Sequence, residues 1–343
     1  MGALSSAWSS RGAVAAAAVL ASTFPSALVH AQAPIELERQ GSFQVGGKVV
    51  GEAGTATIHC DHGSVEYQIP SDARKISLFM WHSSSAHVWQ NRWDGGEGFQ
   101  SIFLRRGFPV YLWDGPRVGR GDMSCESYAY EPIADQDQRN WIAWRFGPVA
   151  NVWFPGVQFP KDDPEALYQA MSARYNEFDT DANAILEASA AAKAIDRLGP
   201  TVLLTNSAGG LRGLLAATKS DNVKAIVAYE TPAFVFPEGE GPKNPLPGIG
   251  SLHVPLEEFK RLTRIPIQIV WGDNTDKSYW KSGVALTREF VAVVNAHGGN
   301  AELLLLPSAG LTGNTHIPFA DLNNVEVADQ LSLFLKKHKL DVR

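Results

Sequence analysis

Cysteine is nearly absent from this chain: Cys60 and Cys125 are all there are in 343 residues, so at most one disulfide can form, between an early strand and a loop beyond the fourth strand. There is no Asn-x-Ser/Thr triplet, so N-glycosylation is not expected. No excess of positive charge exists either. The formal net charge of −6 argues against nucleic acid as a main partner, and the one basic cluster, Lys336-Lys337-His338-Lys339, suits the dipole at the end of a C-terminal helix. Long apolar runs are missing too. The stretch from Ala13 to Ala21 is about half of what a membrane span requires, so no stable membrane association is expected. The group His59-Cys60-Asp61-His62 has the look of a metal site. On a strand, however, neighbouring side chains point to opposite faces, which defeats chelation.

That short apolar stretch has Arg11 before it and Val29-His30-Ala31 after it, with small residues at the −3 and −1 positions of a cleavage site. Residues 1–31 read as a secretory signal peptide, and residues 32–343 as one secreted catalytic domain. With 45% hydrophobic residues the chain is long enough to bury a full core.

Short β-like runs at Phe43–Val50 and Val65–Ile69 give way to a different rhythm. Strands are predicted at Ile76–Trp81, Pro109–Trp113, 201–206, Lys224–Tyr229, Ile267–Trp271 and Glu302–Leu306. Helices are predicted at Gly98–Arg106, Asn183–Leu198, from Ala208, at Thr287–His297 and at Val325–His338. Alternation of this kind implies a mostly parallel sheet with helices on both faces, and ligands then sit beyond the carboxyl ends of the strands. Two segments break the alternation. Residues 117–182 carry many Trp and Phe, residues 231–258 carry six prolines, and both are expected to form an inserted lid.

Thr205-Asn206-Ser207-Ala208-Gly209-Gly210 joins the fifth strand to a helix through a sharp turn with a serine at its apex. Such a turn mounts a nucleophile and needs small residues on both sides. Ala208, Gly209 and Gly210 supply them after the serine, while Thr205 stands where a glycine is usual. An ordinary turn in which Ser207 caps a helix is the plainer alternative. His316, between the eighth strand and the closing helix, is placed to serve as the base. Glu230, Asp273 and Asp276 compete as its acid partner. Position after the seventh strand favours the aspartates. A glutamate at the end of an otherwise apolar strand needs a partner to offset its burial, and that favours Glu230. The oxyanion donors are the backbone amides of Ala208 and, from the loop His82-Ser83-Ser84-Ser85, Ser84. His82 is read as a support of that loop.

Together, Gly41-Ser42-Phe43-Gln44-Val45-Gly46-Gly47, Met80-Trp81-His82, Phe103 to Tyr111, Asn206 to Gly210, Ala225 to Glu230 and Gly313-Asn314-Thr315-His316 resemble a group of secreted microbial esterases of the α/β-hydrolase superfamily. The resemblance covers nearly all of the chain after the signal. It implies an α/β-hydrolase fold and a triad of Ser207, His316 and Glu230, the glutamate following strand six. The chain departs from that group at Thr205 and at Ser83, Ser84 and Ser85, where glycines are common. The expected function is hydrolysis of a small-molecule carboxylic ester or lactone through an acyl-enzyme, with no metal and no organic cofactor. A lyase or cyclase of secondary metabolism using the same site is the second reading.

Overall fold

The computed structural model describes residues 33–343 apart from 83–84, 128 and 243–249. The proposed signal peptide and Ser84 therefore lie outside the described residues. From Ile35 to Arg343 the chain is one compact unit. Its main sheet has eight strands, numbered here along the chain: β1 Leu37–Glu52, β2 Ala56–Pro70, β3 Ser77–His82, β4 Val110–Asp114, β5 Thr201–Asn206, β6 Val223–Tyr229, β7 Pro266–Trp271 and β8 Asn300–Leu305. Their spatial order is β1-β2-β4-β3-β5-β6-β7-β8. Strand β2 is antiparallel to both β1 and β4, and every pairing from β4 onward is parallel.

The parallel strands are apolar on both faces because both faces are covered. Phe79 and Trp81 of β3, with Leu203 of β5, pack on one side against the helices Asp181–Leu198, Gly209–Ala217 and Lys281–Ala296. Leu78, Met80, Val202 and Leu204 point the other way, into the helices Phe99–Arg105 and Asn324–Lys337. A fully buried Leu, Ile or Val contributes about 1.5–3 kcal/mol, so this two-sided covering is the main source of stability. The helix Asp181–Leu198 shows how its sequence sets its limits. Thr180 caps it by accepting from the Asn183 amide at 3.2 Å, and Gly199 ends it at φ +86°. Its alanines let it lie close to the sheet.

Two boundaries differ from the periodicity reading. The first two strands form a hairpin much longer than the apolar runs within it, because Gly46, Gly47 and Gly51 adopt positive φ and let the ladder continue through polar residues. The helix expected at Thr287–His297 begins at Lys281, since Gly283 packs tightly against Trp271 where a side chain would not fit. The aromatic-rich segment holds two short helices, Gln136–Ala143 and Ala166–Ser172. The proline-rich one holds the paired strands Val235–Pro237 and Leu252–Val254. Among the described residues no helix is long and apolar enough to cross a membrane.

Cys60 of β2 is bonded to Cys125, 65 residues later. Asp61 reinforces the link: its amide donates to the Met123 carbonyl at 2.7 Å, and its carboxylate accepts from the Cys125 amide at 3.1 Å and from Arg117 Nε at 2.8 Å. The disulfide thus fastens the start of the aromatic-rich segment to the sheet. Replacing both cysteines with serine is expected to lower unfolding stability by about 2–4 kcal/mol, measured by urea denaturation of the mature chain. An unchanged midpoint and slope would show that Asp61 alone holds the segment.

Candidate active site

Three strand ends meet at one level of the sheet. His82 pairs in register with Asn206, and Asn206 with Tyr229, so Ser207 and Glu230 are the next residues beyond paired positions. Both leave their strands in the left-handed region, Ser207 at φ +54° and Glu230 at φ +57°. For residues other than glycine each such turn costs about 1–3 kcal/mol and has to be held by its surroundings. The Ser207 amide donates to the Tyr229 carbonyl at 3.0 Å, and the Glu230 amide to the Val270 carbonyl at 2.8 Å. These bonds peg both turns to a neighbouring strand.

The elbow is compact after the serine for reasons the glycines make plain. A Cβ on Gly210 would lie 2.0 Å from Thr231 Oγ1, and one on Gly213 would lie 2.6 Å from Thr205 Cγ2. The threonine at 205 therefore occupies room left by Gly213 on the helix opposite. Space missing on the strand side is restored on the helix side, so the departure at Thr205 does not disturb the turn.

Glu230 and His316 are brought together. His316 Nδ1 lies 3.4 Å from Glu230 Oε2, a long contact with no other hydrogen-bond partner for that nitrogen. Both side chains are buried, and the imidazole stacks on Trp280 at 5.1 Å between ring centroids and 16° between planes. The loop bearing His316 is held on several sides. Its amide donates to the Trp144 carbonyl at 2.9 Å, and its carbonyl accepts from Asn206 Nδ2 at 3.0 Å. The residue before Ser207 thus also anchors the histidine loop. Asp321 accepts from the Thr315 amide at 2.8 Å and the Thr315 hydroxyl at 2.9 Å. Burial raises the Asp321 carboxyl to about 7 despite these bonds.

Glu230 has a second partner that the motifs did not point to. Arg145, from the aromatic-rich segment, approaches with both terminal nitrogens, Nη1 to Oε2 at 2.7 Å and Nη2 to Oε1 at 2.5 Å, and the Gly272 amide also donates to Oε1. Arg145 Nε donates to the Asp273 carbonyl at 2.8 Å, and Nη2 to the Thr315 carbonyl at 3.2 Å. Burial alone would raise the Glu230 carboxyl. The charge of Arg145, its two hydrogen bonds and the His316 contact outweigh burial and hold the carboxyl below its ordinary range. Burial lowers the His316 pKa, with Glu230 opposing, so the neutral imidazole is favoured.

The competing aspartates are placed elsewhere. Asp273 accepts from the Gly313 amide at 2.8 Å and from the Asn274 amide at 2.6 Å, which fixes the start of the histidine loop. Asp276 is exposed on a short helical turn. Ala208 is the residue from which the helix Gly209–Ala217 starts. His82 is buried and accepts from the Ser85 amide at 3.4 Å; burial first, then the nearby charges of His316, Arg174 and Arg212, pushes it down to about 3. As a neutral ring beside the 83–85 loop it suits a supporting role. Arg145, Asn206, Trp280 and Asp321 are the site residues that sequence reading missed. Only the dense aromatic setting of Arg145 marks it in the sequence.

Removing one partner of a buried, bidentate pair leaves the other charged and unpaired. Arg145→Met is accordingly expected to lower stability by about 3–5 kcal/mol, and the double substitution Arg145→Met with Glu230→Gln to recover part of that loss. Denaturant melts of the two variants check this. With Glu230→Gln measured alone as well, losses that simply add in the double variant would mean that the pair is not coupled.

No protein-family model matches the chain. A curated relative from a fungus (Fungal sp., strain ATCC 74256), named as a probable secreted lipase, is 24% identical over 86% of this chain and 89% of its own. A solved structure described as a novel bacterial esterase superposes with a TM-score of 0.75 at 26% identity, over 89% of this chain and 98% of the other. The sheet order, the strand-end turns and this likeness agree: the chain has the α/β-hydrolase fold.

Proposed function

We propose that the chain is a secreted serine hydrolase that cleaves a carboxylic ester or lactone with Ser207, His316 and Glu230. The observation that carries the reading is the buried Glu230–His316 contact, tied through Asn206 to the strand end from which Ser207 turns at positive φ. The relatives named as an esterase and a secreted lipase point to the same chemistry. A disulfide suits an oxidising compartment, consistent with a signal peptide at 1–31.

In this mechanism the Ser207 hydroxyl oxygen attacks the substrate carbonyl while the neutral imidazole of His316 takes its proton. Glu230 stabilises the resulting imidazolium through Nδ1. The backbone amide of Ala208 receives the oxyanion. His316 then returns the proton to the departing alkoxide, leaving an acyl-enzyme. Water, deprotonated by His316, attacks that ester and releases the acid and Ser207. Arg145 positions the acid and keeps it ionised, so that His316 faces a full negative charge even in a buried setting. No cofactor enters any of these steps.

Hydrolysis of p-nitrophenyl esters and aromatic lactones by the mature chain tests the reading. Ser207→Ala is expected to lose about 10⁴-fold or more in kcat, and Glu230→Gln about 10²- to 10⁴-fold, while Asp276→Asn stays near wild type. A wild-type chain inert to the whole panel, or activity that tracks Asp276, would sink it. The base must be neutral, and burial lowers the His316 pKa, so the acid limb of kcat/KM is expected below the ordinary histidine value of about 6.5. Glu230→Gln removes the opposing influence and should move that limb lower still. A wild-type limb above 6.5 would contradict the assignment of His316.

A further inference from the structure

A cavity of about 1090 Å³ opens within the aromatic-rich segment, and three arginines line it: Arg117, Arg120 and Arg174. Two of them are engaged. Arg117 Nε is 2.8 Å from Asp61, and Arg120 Nε is 2.7 Å from Asp114 and also meets Glu66. Arg174 differs. No ion pair among the described residues includes it, and its Nε is buried without an acceptor. One face of the guanidinium lies over the Trp144 ring, 5.4 Å from the centroid. A cation held against an indole, with a desolvated and unmatched donor, costs free energy unless something supplies an acceptor. Of the acidic residues at the same cavity, Asp122, Glu131 and Asp137 are exposed and in no ion pair with Arg174 among the described residues.

Arg174 also links the lining of the cavity to residues at the carboxyl end of the sheet. Trp144, on which it lies, accepts the His316 amide through its carbonyl. Its charge is felt by His82 at the end of β3, and the adjacent Tyr175, which lines the cavity, reaches towards Ser85. The rest of the lining is partly apolar, with Met171, Tyr130 and Ile133.

We propose that this cavity receives the part of the substrate remote from the scissile bond and that Arg174 binds a carboxylate there, which makes the preferred substrate an ester or lactone carrying a second, anionic group on an aliphatic or aromatic body. The proposal rests on the hydrolase reading above and narrows its substrate class. A guanidinium offers a carboxylate paired donors in one plane, and among the described residues no ion pair engages that of Arg174.

The test compares mono-p-nitrophenyl esters of adipic and suberic acid with the same compounds methylated at the free carboxyl. Wild type is expected to favour the acid over its methyl ester by about 10- to 100-fold in kcat/KM, chiefly through KM, at one of the two lengths. Arg174→Gln should abolish that preference by lowering kcat/KM for the acids far more than for the methyl esters, and Arg174→Lys should restore part of it. A ratio unaltered by Arg174→Gln, or no preference in wild type, overturns the proposal. So does an equal loss on charged and neutral esters, which would mark a packing role beneath Trp144. Should neither ester type be hydrolysed, the hydrolase reading fails, and calorimetric titration with suberate decides the arginine separately. Binding to wild type that Arg174→Gln removes supports the carboxylate site; equal binding to both, or none, overturns it.

Discussion

A single buried ion pair organises this site. Glu230 has no contact with water and lies at the end of an apolar strand, where a lone carboxylate would take up a proton. Arg145 prevents this with two parallel hydrogen bonds, and the same guanidinium reaches the backbone of Asp273 and of Thr315. Three separate stretches of chain therefore converge on one cation: the strand-six turn, the turn after β7 and the histidine loop. The charge that keeps Glu230 ionised also ties it to the loop that carries His316.

This arrangement gives the aromatic-rich segment a part in holding Glu230 and His316 in place. Arg145 and the Trp144 carbonyl are adjacent in sequence, and one holds the acid while the other holds the His316 backbone. The Cys60–Cys125 bond and the Asp61–Arg117 pair fasten the near end of the segment to β2, and Trp280 Nε1 donates to the Ala143 carbonyl at 2.6 Å beside the imidazole it stacks on. Residues 143–145 thus form one wall of the candidate site. Any opening motion of the segment that carried them along would break the Arg145–Glu230 pair, which a buried charge strongly resists. Movement consistent with an intact site is confined to parts of the segment away from 143–145.

Much of the fold was legible because its signals are local. Apolar runs of strand length alternating with helices, a serine among small residues and a histidine before the last helix each need only a few neighbouring residues to be read. Glu230 was legible through a cost: a charge at the end of Ala225-Ile226-Val227-Ala228-Tyr229 demanded a partner, though nothing nearby named it. Arg145 lies 85 residues away in a segment without periodicity, so its pairing is a product of topology alone. Asn206 was hidden for another reason. It reads as one more small polar residue at the elbow, and its hold on the His316 carbonyl exists only once β5 and the last loop have met.

The exchange between Thr205 and Gly213 shows how a motif departure is absorbed. An elbow requires that strand and helix pass closely, and a one-dimensional pattern places that requirement on the residue two before the serine. The physical requirement is on the sum of two side chains, one from each element. Here the strand contributes a threonine and the helix contributes nothing, so the gap is the same. The threonine leaves a mark all the same, since its hydroxyl is buried without a partner. A β-branched residue at the elbow therefore carries a small polar penalty that glycine would avoid. The packing of Gly213 against it means that a side chain at 213 requires a smaller residue at 205.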